Sequence, residues 1–199
     1  LVLSDPRLLA SLPEGELRSG MAEVVKHGIL ADPVLFARCA GGWEALRGPD
    51  ANHPDWEETV SRAMAVKVRV IQEDPFEQGV RATLNLGHTL GHAIEAASGY
   101  RLRHGEAVAI GTVAVARLAA EEGYCDPTLA EEFSAVFQGL GLPVEIPPAL
   151  DKAVFLTALK ADKKRAGGKV RFAVPRALGK VEAGIVIERD FTQLLPEAL

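Results

Sequence analysis

The sequence predicts a mainly α-helical protein with a small β-hairpin-like annex near its C-terminal end. Apolar residues recur every three or four positions through most of the first 165 residues, as in amphipathic helices. Glycine and proline cluster between these segments. Alternation with a period of two, typical of strands, appears only after residue 168. No internal repeat or low-complexity tract divides the 199 residues, so we expect one domain over residues 1–199.

The first half of the chain carries three helical patterns. A helix is predicted over Glu14–Ala31, and it ends at an Asp-Pro pair because proline interrupts the helical hydrogen bonds. A short helix follows over 33–40. A loop rich in glycine and proline at 48–54 then precedes a long amphipathic helix over 56–73.

The second half carries four more. A helix is predicted over 81–97, with Gly99 beyond its end as a C-terminal signal. The next, over 105–123, is rich in alanine and valine, so we expect it to pack closely against its neighbours. A third opens with an Asp-Pro pair, typical of a capped first turn, and runs over 126–138. A fourth covers 151–163.

The last part of the chain predicts a pair of strands. Residues 169–174 alternate cleanly and residues 180–187 less so, with Pro175 and Gly179 between them. A short helix over 190–195 follows. The annex is therefore expected to be a hairpin.

Composition excludes several classes of protein. The net charge of −5 argues against generic nucleic-acid binding, although it leaves a small anionic substrate open. No apolar run is long enough to span a membrane. The two cysteines, Cys39 and Cys125, are far apart and form no CxxC motif, which favours a reducing, cytoplasmic location.

The most informative residues are Arg81, Asn85, His88 and His92. Their spacings of four, three and four would place them in one stripe along a single helix. A guanidinium, an amide and two imidazoles suit an anionic ligand beside a metal ion. Spacing alone predicts His88 and His92 as a pair of metal ligands. The alternative is two histidines with satisfied hydrogen bonds at a helix interface.

Two further residues are candidates for the same chemistry. Glu23 lies among apolar residues of the first helix, and a buried carboxylate needs a cation or a metal as partner. The alternative is a solvated surface pair with Lys26. His104 starts a later helix, where the helix dipole favours the neutral imidazole that binds metals. The alternative is an ordinary residue in a first helical turn.

Lysines supply the remaining candidate chemistry. Lys67 precedes Glu77 on the way to the histidine-rich segment, and Lys163 and Lys164 belong to a basic turn over 162–169. Lysine can bind phosphate as a point charge, although such a run is also common in solvated loops. The sequence contains no Walker loop and no GxGxxG motif, so no dinucleotide-binding half is visible.

Taken together, these segments resemble the 3-dehydroquinate synthase family. They occur in the family's order and span nearly the whole chain. The matching segments are 12–14 with GMAEVVK at 20–26, RATLNLGHTLGHAIE at 81–95, HGEAVAIG at 104–111, and DKK at 162–164 with GKVRF at 168–172.

The resemblance implies the fold of the family's C-terminal, metal-binding domain and a divalent metal bound by Glu23, His88 and His104. The metal is normally zinc, or another divalent ion such as cobalt. Three protein ligands leave an open coordination position, as catalytic zinc requires. The family pattern places His92 beside the substrate, against the expectation from spacing.

The resemblance also implies a substrate with two anionic groups. Arg81 and Lys67 would hold its carboxylate. Asn85 and one of Lys163 or Lys164, with Lys163 preferred, would hold its phosphate.

Two other residues would complete the substrate site. Lys26 would contact a ring hydroxyl, and Glu77 would orient Arg81 or a neighbour.

The implied reaction is a phosphate-eliminating lyase reaction of the shikimate pathway, in aromatic amino-acid biosynthesis. It converts 3-deoxy-D-arabino-heptulosonate 7-phosphate to 3-dehydroquinate and phosphate, with catalytic NAD. Members of the family carry an N-terminal α/β domain that supplies most of the NAD site, and nothing in this chain corresponds to it. We therefore expect the chain to need that domain as a partner, to form a homodimer, and to be inactive alone.

Three alternatives remain. A metal-dependent polyol or alcohol dehydrogenase of the same superfamily would not need the cationic residues, because its substrate is neutral. Another sugar-phosphate cyclase would keep the phosphate ligands without a carboxylate clamp at Arg81. A helical interaction module without catalysis would bind no zinc.

Overall fold

The computed structural model describes residues 2–47, 54–148, 150–165 and 169–196. Within these ranges, the chain forms eight α-helices and one two-stranded antiparallel sheet, joined by loops and short 3₁₀ helices. The mainly helical prediction is confirmed. The helices are α1 (Glu14–Ala31), α2 (Pro33–Cys39), α3 (Gly42–Arg47), α4 (Pro54–Glu73), α5 (His88–Ala97), α6 (His104–Glu121), α7 (Thr128–Gly139) and α8 (Lys152–Arg165). Within the described ranges, no helix is long and apolar enough to cross a membrane.

Helix α6 lies at the centre of the fold. It packs against α1, α5 and α7 and against the first strand of the sheet. Most of its small side chains are buried, as the sequence predicted from its alanine and valine content. Phe133 and Phe137 of α7 fill the core on one side, and Phe155 of α8 and Phe172 contribute elsewhere. The helix therefore serves as the fixed support for its neighbours.

The predicted hairpin is confirmed as β1 (Arg171–Ala177) and β2 (Lys180–Val186), which pair antiparallel. Gly179 has a positive φ of 79° in the turn, where glycine avoids the clash of a Cβ. Its N–H donates to the carbonyl oxygen of Ile29 at 2.9 Å, which ties the hairpin to α1. The predicted last helix is a 3₁₀ helix over Phe191–Leu194.

The prediction of one helix over 81–97 is wrong. A 3₁₀ helix covers Val80–Asn85, and α5 begins only at His88. Gly87 between them has a φ of 76°, and a Cβ there would lie 2.2 Å from Oγ1 of Thr112 on α6. The chain breaks because its backbone comes into direct contact with α6, so the four polar residues do not form one helical stripe.

Close contact between backbones also fixes the start of α6. A Cβ added to Gly105 would lie 1.9 Å from the carbonyl oxygen of Ser19 on α1. The N–H of Gly105 donates to Oγ of the same serine at 3.0 Å, which satisfies one of the free donors of the first helical turn. As a consequence, the residue before Gly105 lies beside α1.

Two short elements were not predicted from the sequence, namely a 3₁₀ helix over Pro6–Ser11 and α3. In α3, Trp43 is buried and its ring packs edge-on against Trp56, with centroids 6.1 Å apart. The predicted C-terminal signal at Gly99 is confirmed by its φ of 65°. Cys39 and Cys125 are free thiols, as expected.

Candidate metal and anion site

Three side chains from three separate elements converge at one point. Glu23 comes from the middle of α1, His88 is the first residue of α5, and His104 is the first residue of α6. One ligand atom from each lies within 4.8 Å of the others. Oε1 of Glu23 is 3.3 Å from Nε2 of His88 and 3.5 Å from Nε2 of His104.

These distances fit a metal ion with short bonds. Zinc binds nitrogen and oxygen at roughly 2.0–2.2 Å, so two tetrahedral ligands lie about 3.3–3.5 Å apart. Both distances from the Glu23 oxygen fall in this range. The donor set of one carboxylate and two imidazoles also suits zinc or cobalt and leaves a coordination position open.

The two oxygens of Glu23 have different surroundings. Oε2 pairs with Nζ of Lys26 at 2.6 Å, whereas Oε1 is buried and has no hydrogen-bond partner among the described residues. Burial alone would raise the pKa of Glu23, but the His88 imidazole and the Lys26 charge outweigh it and lower the pKa. The site therefore holds an ionised carboxylate whose Oε1 faces two imidazoles without a well-formed hydrogen bond, and a metal ion between them would satisfy it.

Lys26 is buried rather than on the surface. Its Nζ donates to the carbonyl oxygen of Leu84 at 2.7 Å in addition to pairing with Glu23. Burial lowers the pKa of Lys26, and the nearby Glu23 carboxylate opposes that shift. The alternative of a solvated surface pair is therefore wrong.

His92 is close to the cluster but not part of it. It is exposed, and its ring centroid lies 5.2 Å from that of His88 and 5.8 Å from that of His104. The group that could hold a metal contains Glu23, His88 and His104. The structure thus favours the ligand set implied by the family resemblance over the pair predicted from spacing.

A cavity of about 460 Å³ opens beside the three candidate ligands. Three cationic side chains, Lys26, Lys67 and Arg81, face two carboxylates on its wall. The chain is acidic overall, so this wall carries a local excess of positive charge, which suits an anionic ligand. Five predicted substrate residues line the cavity with the candidate ligands, namely Lys26, Lys67, Glu77, Arg81 and Asn85.

Asp74 organises the turn over 75–79, which contributes Glu77 to the cavity. Its carboxylate accepts backbone N–H groups from three residues that follow it, at 2.7–3.0 Å. The last of these is the N–H of Arg81, whose Nη1 also donates to the carbonyl oxygen of Pro75 at 2.7 Å. Sequence reasoning grouped Asp74 with Lys67, Glu77 and Arg81 but gave it no role, although an Asp before a Pro and a Gly is a common turn signal.

Glu77 contacts Asn85 and not Arg81. Its Oε1 accepts from Nδ2 of Asn85 at 3.2 Å, so of the two expected partners the structure places it on the neighbour. Glu77 has a positive φ of 56°, which is uncommon for a residue with a side chain. The turn set by Asp74 therefore fixes where the Glu77 carboxylate and the Asn85 amide meet.

His27 is a cavity residue that sequence reasoning missed. It is 7% exposed, and its Nδ1 has no hydrogen-bond partner among the described residues. Burial and the charge of Lys26 lower the pKa of His27 to about 4. Its position four residues after Glu23, on the same face of α1, was a signal that could have found it.

Lys163 and Lys164 are two further predicted substrate-binding residues. Both belong to the C-terminal part of α8, and their side chains lie outside the described residues. Their role in binding phosphate stays a prediction.

Comparison with known proteins identifies the family. The family described as 3-dehydroquinate synthase C-terminal matches residues 20–165, which include most of α1, all of α2–α8 and the three residues of the candidate metal cluster. The chain belongs to the 3-dehydroquinate synthase family. Residues 20–165 are the part that carries the shared pattern.

Relatives agree with this assignment. A 3-dehydroquinate synthase from Synechococcus sp. is 44% identical over the whole chain, and one from Xanthomonas axonopodis pv. citri is 41% identical over 91% of it. The chain spans about half the length of these relatives, 54% and 50% respectively.

Solved structures share the fold. A 2-epi-5-epi-valiolone synthase from Streptomyces hygroscopicus subsp. jinggangensis, with NAD⁺ and Zn²⁺ bound, matches 96% of this chain and 52% of its own at a TM-score of 0.77 and 24% identity. A 2-deoxy-scyllo-inosose synthase with carbaglucose-6-phosphate, NAD⁺ and Co²⁺ matches 89% of this chain and 48% of its own, at a TM-score of 0.75 and 23% identity. At these identities, the likeness concerns the fold.

Proposed function

We propose that this chain is the metal- and substrate-binding part of a 3-dehydroquinate synthase. Such a lyase converts 3-deoxy-D-arabino-heptulosonate 7-phosphate to 3-dehydroquinate and phosphate in the shikimate pathway. The observation that carries the proposal is the unpartnered Glu23 oxygen, which faces two imidazoles at zinc-like distances beside a cationic cavity.

Glu23, His88 and His104 would hold the metal. When bound, a zinc ion supplies Lewis-acid polarisation of a substrate oxygen. Lys26 fixes the outer oxygen of Glu23 and keeps the inner oxygen directed at the histidines. Because its ammonium group is buried and lines the cavity, Lys26 is also placed to donate to a ring hydroxyl.

The substrate's two anionic groups account for the cations of the cavity. Arg81 and Lys67 would bind the carboxylate, and Arg81 suits this because a guanidinium can form two parallel hydrogen bonds. Asn85, with Lys163 or Lys164, would bind the phosphate. His92 would lie on the substrate side, next to the metal ligands.

The remaining half of the enzyme would supply the nicotinamide cofactor. The relatives are about twice as long as this chain, and two proteins of the same fold have NAD⁺ bound. We infer that an N-terminal α/β domain completes the site and that bound NAD provides a reversible hydride acceptor. This chain alone would then be inactive, and the complete enzyme would be a cytoplasmic homodimer.

A second candidate is another sugar-phosphate cyclase, and it is weighed because the fold is shared with a 2-epi-5-epi-valiolone synthase and with a 2-deoxy-scyllo-inosose synthase that has carbaglucose-6-phosphate bound. It would share the metal cluster and the phosphate site. A substrate without a carboxylate would give Arg81 no partner. Substituting Arg81→Met and comparing substrates with and without a carboxylate separates the two candidates.

The proposed function can be tested by supplying the missing half. The chain is combined with the N-terminal half of the Synechococcus relative, and phosphate release from 3-deoxy-D-arabino-heptulosonate 7-phosphate is measured with NAD and zinc. We expect activity from the two parts together and none from either alone. Glu23→Gln should lower the rate at least 100-fold, whereas Glu132→Gln, an exposed change on α7, should not alter it.

Either of two results would refute the proposal. One is phosphate release by the 199-residue chain without the second half. The other is an active two-part enzyme whose rate is unaffected by Glu23→Gln.

A further inference from the structure

Glu95 lies next to the metal cluster without belonging to it. It is on α5, seven residues after His88, so two helical turns place the two side chains on the same face. Its Oε2 is 3.4 Å from Nδ1 of His104. The carboxylate is 21% exposed and has no other hydrogen bond or ion pair among the described residues.

The two metal-facing histidines are held in different ways. Nδ1 of His88 lies 3.1 Å from the carbonyl oxygen of Leu86, an acceptor fixed by the backbone. His104 has no such carbonyl contact among the described residues, and its side chain is 46% exposed. At the first residue of a helix, an exposed imidazole can rotate freely unless another group holds it.

From this geometry we propose that Glu95 is a positioning residue for His104. The inference rests on the proposed metal site. Its carboxylate accepts a hydrogen bond from the Nδ1–H of His104, which fixes the tautomer and points the lone pair of Nε2 toward Oε1 of Glu23. A carboxylate in this place also increases the basicity of the imidazole toward the metal.

The arrangement explains why α5 contributes two residues to the site. His88 binds the metal directly, and Glu95, at the other end of the same face, orients the ligand that α6 provides. Both histidines then present Nε2 to the metal and Nδ1 to an acceptor, although one acceptor is backbone and the other is a side chain.

The test measures metal binding rather than catalysis. Zinc affinity of the 199-residue chain is determined by competition with a chelator, and the visible absorption spectrum is recorded with cobalt. Glu95→Ala should weaken zinc binding about 10- to 100-fold and change the cobalt spectrum, because loss of such an acceptor has this effect in zinc sites. Glu95→Gln, which keeps an oxygen acceptor but loses the charge, should weaken it less.

Two controls separate positioning from stability. Glu132→Gln should leave both zinc affinity and spectrum unchanged. The metal-free Glu95→Gln variant should unfold at the same temperature as the unsubstituted chain. If Glu95→Ala is destabilised, the zinc affinity and cobalt spectrum of Glu95→Gln test the positioning role instead.

The outcomes distinguish this inference from the proposed function. If the unsubstituted chain binds no zinc, both are wrong. If it binds zinc and the Glu95 variants bind with equal affinity and an identical cobalt spectrum, only the positioning role is wrong.

Discussion

The cavity has a metal side, with His88 and His104, and a cationic side, with Arg81 and Lys67, and the two sides are held in place differently. On the metal side, His88 and His104 start helices whose backbones touch neighbouring elements at Gly87 and Gly105. On the cationic side, Glu77 and Arg81 belong to or follow an exposed turn held by the carboxylate of Asp74, whereas Lys67 lies on α4. Ligand bonds of about 2 Å demand a fixed backbone, whereas an anion bound by long cationic side chains tolerates a less constrained one.

This contrast predicts that the two sides respond to different substitutions. A change in backbone packing should damage metal binding first. A change in the turn should damage substrate binding and leave the metal in place.

The largest expected effect is that of Gly105→Ala. The added Cβ would lie 1.9 Å from the carbonyl oxygen of Ser19, so the start of α6 must move and His104 with it. We expect at least a 100-fold loss of zinc affinity by calorimetry. The free energy of unfolding should fall by about 1–3 kcal/mol, the usual cost of overpacking.

The matched control is Gly20→Ala on α1. No atom lies within 4 Å of a Cβ at that position. Alanine favours the helix by about 1 kcal/mol over glycine, so this variant should be as stable or more stable and should bind zinc normally. Normal zinc affinity in Gly105→Ala would show that the backbone contact does not hold the site.

The next effect concerns pH and His27. Its pKa is about 4 in the folded chain and about 6.5 when exposed, so folding favours the neutral form. The resulting stability is complete above pH 6.5 and is lost as the pH falls toward 4. Between pH 7 and pH 5, the metal-free chain should lose about 2 kcal/mol from this group, measured by urea unfolding.

His27→Gln serves as the comparison for this effect, because glutamine does not titrate. The variant should lose correspondingly less stability over the same pH range. If both proteins lost the same free energy of unfolding between pH 7 and pH 5, protonation of His27 would not be the cause of the acid sensitivity.

The smallest expected effect is selective. Asp74→Ala removes the acceptor for three backbone N–H groups and frees the turn that carries Glu77 and Arg81. The KM of the two-part enzyme for its substrate should rise about 10-fold, because Glu77 and Arg81 are then held less firmly. Zinc affinity should change less than twofold.

Asp126→Ala is the parallel change at a remote turn, where the carboxylate accepts from the N–H of Thr128 at 2.9 Å. It should leave KM unchanged. If Asp74→Ala weakened zinc binding as much as substrate binding, the metal side and the cationic side of the cavity would not be held independently of each other.

Sequence reasoning predicted local features well and long-range contacts poorly. The bounds of α1 agree at both ends, because periodicity and the Asp-Pro pair are local signals. The break at Gly87 depends on Thr112, 25 residues away, and no pattern within the segment reveals that contact. The same is true of the approach of Gly105 to Ser19.

The candidate site shows the same division. Spacing identified the histidine-rich segment but paired His88 with His92, because both lie on α5 and spacing does not reveal residues that other helices bring close. The family resemblance supplied Glu23 and His104, which spacing could not connect to His88. Asp74 was given no role and His27 was not considered, since the hydrogen bonds that order a turn and the burial of an imidazole become visible only in three dimensions.

The most direct test of the metal assignment is anomalous diffraction at the zinc edge from crystals of the zinc-loaded chain. We expect one strong peak about 2.0–2.2 Å from a Glu23 oxygen and from Nε2 of His88 and His104, with His92 beyond bonding distance. A peak bound by His88 and His92, or no peak beside Glu23, would contradict the assignment.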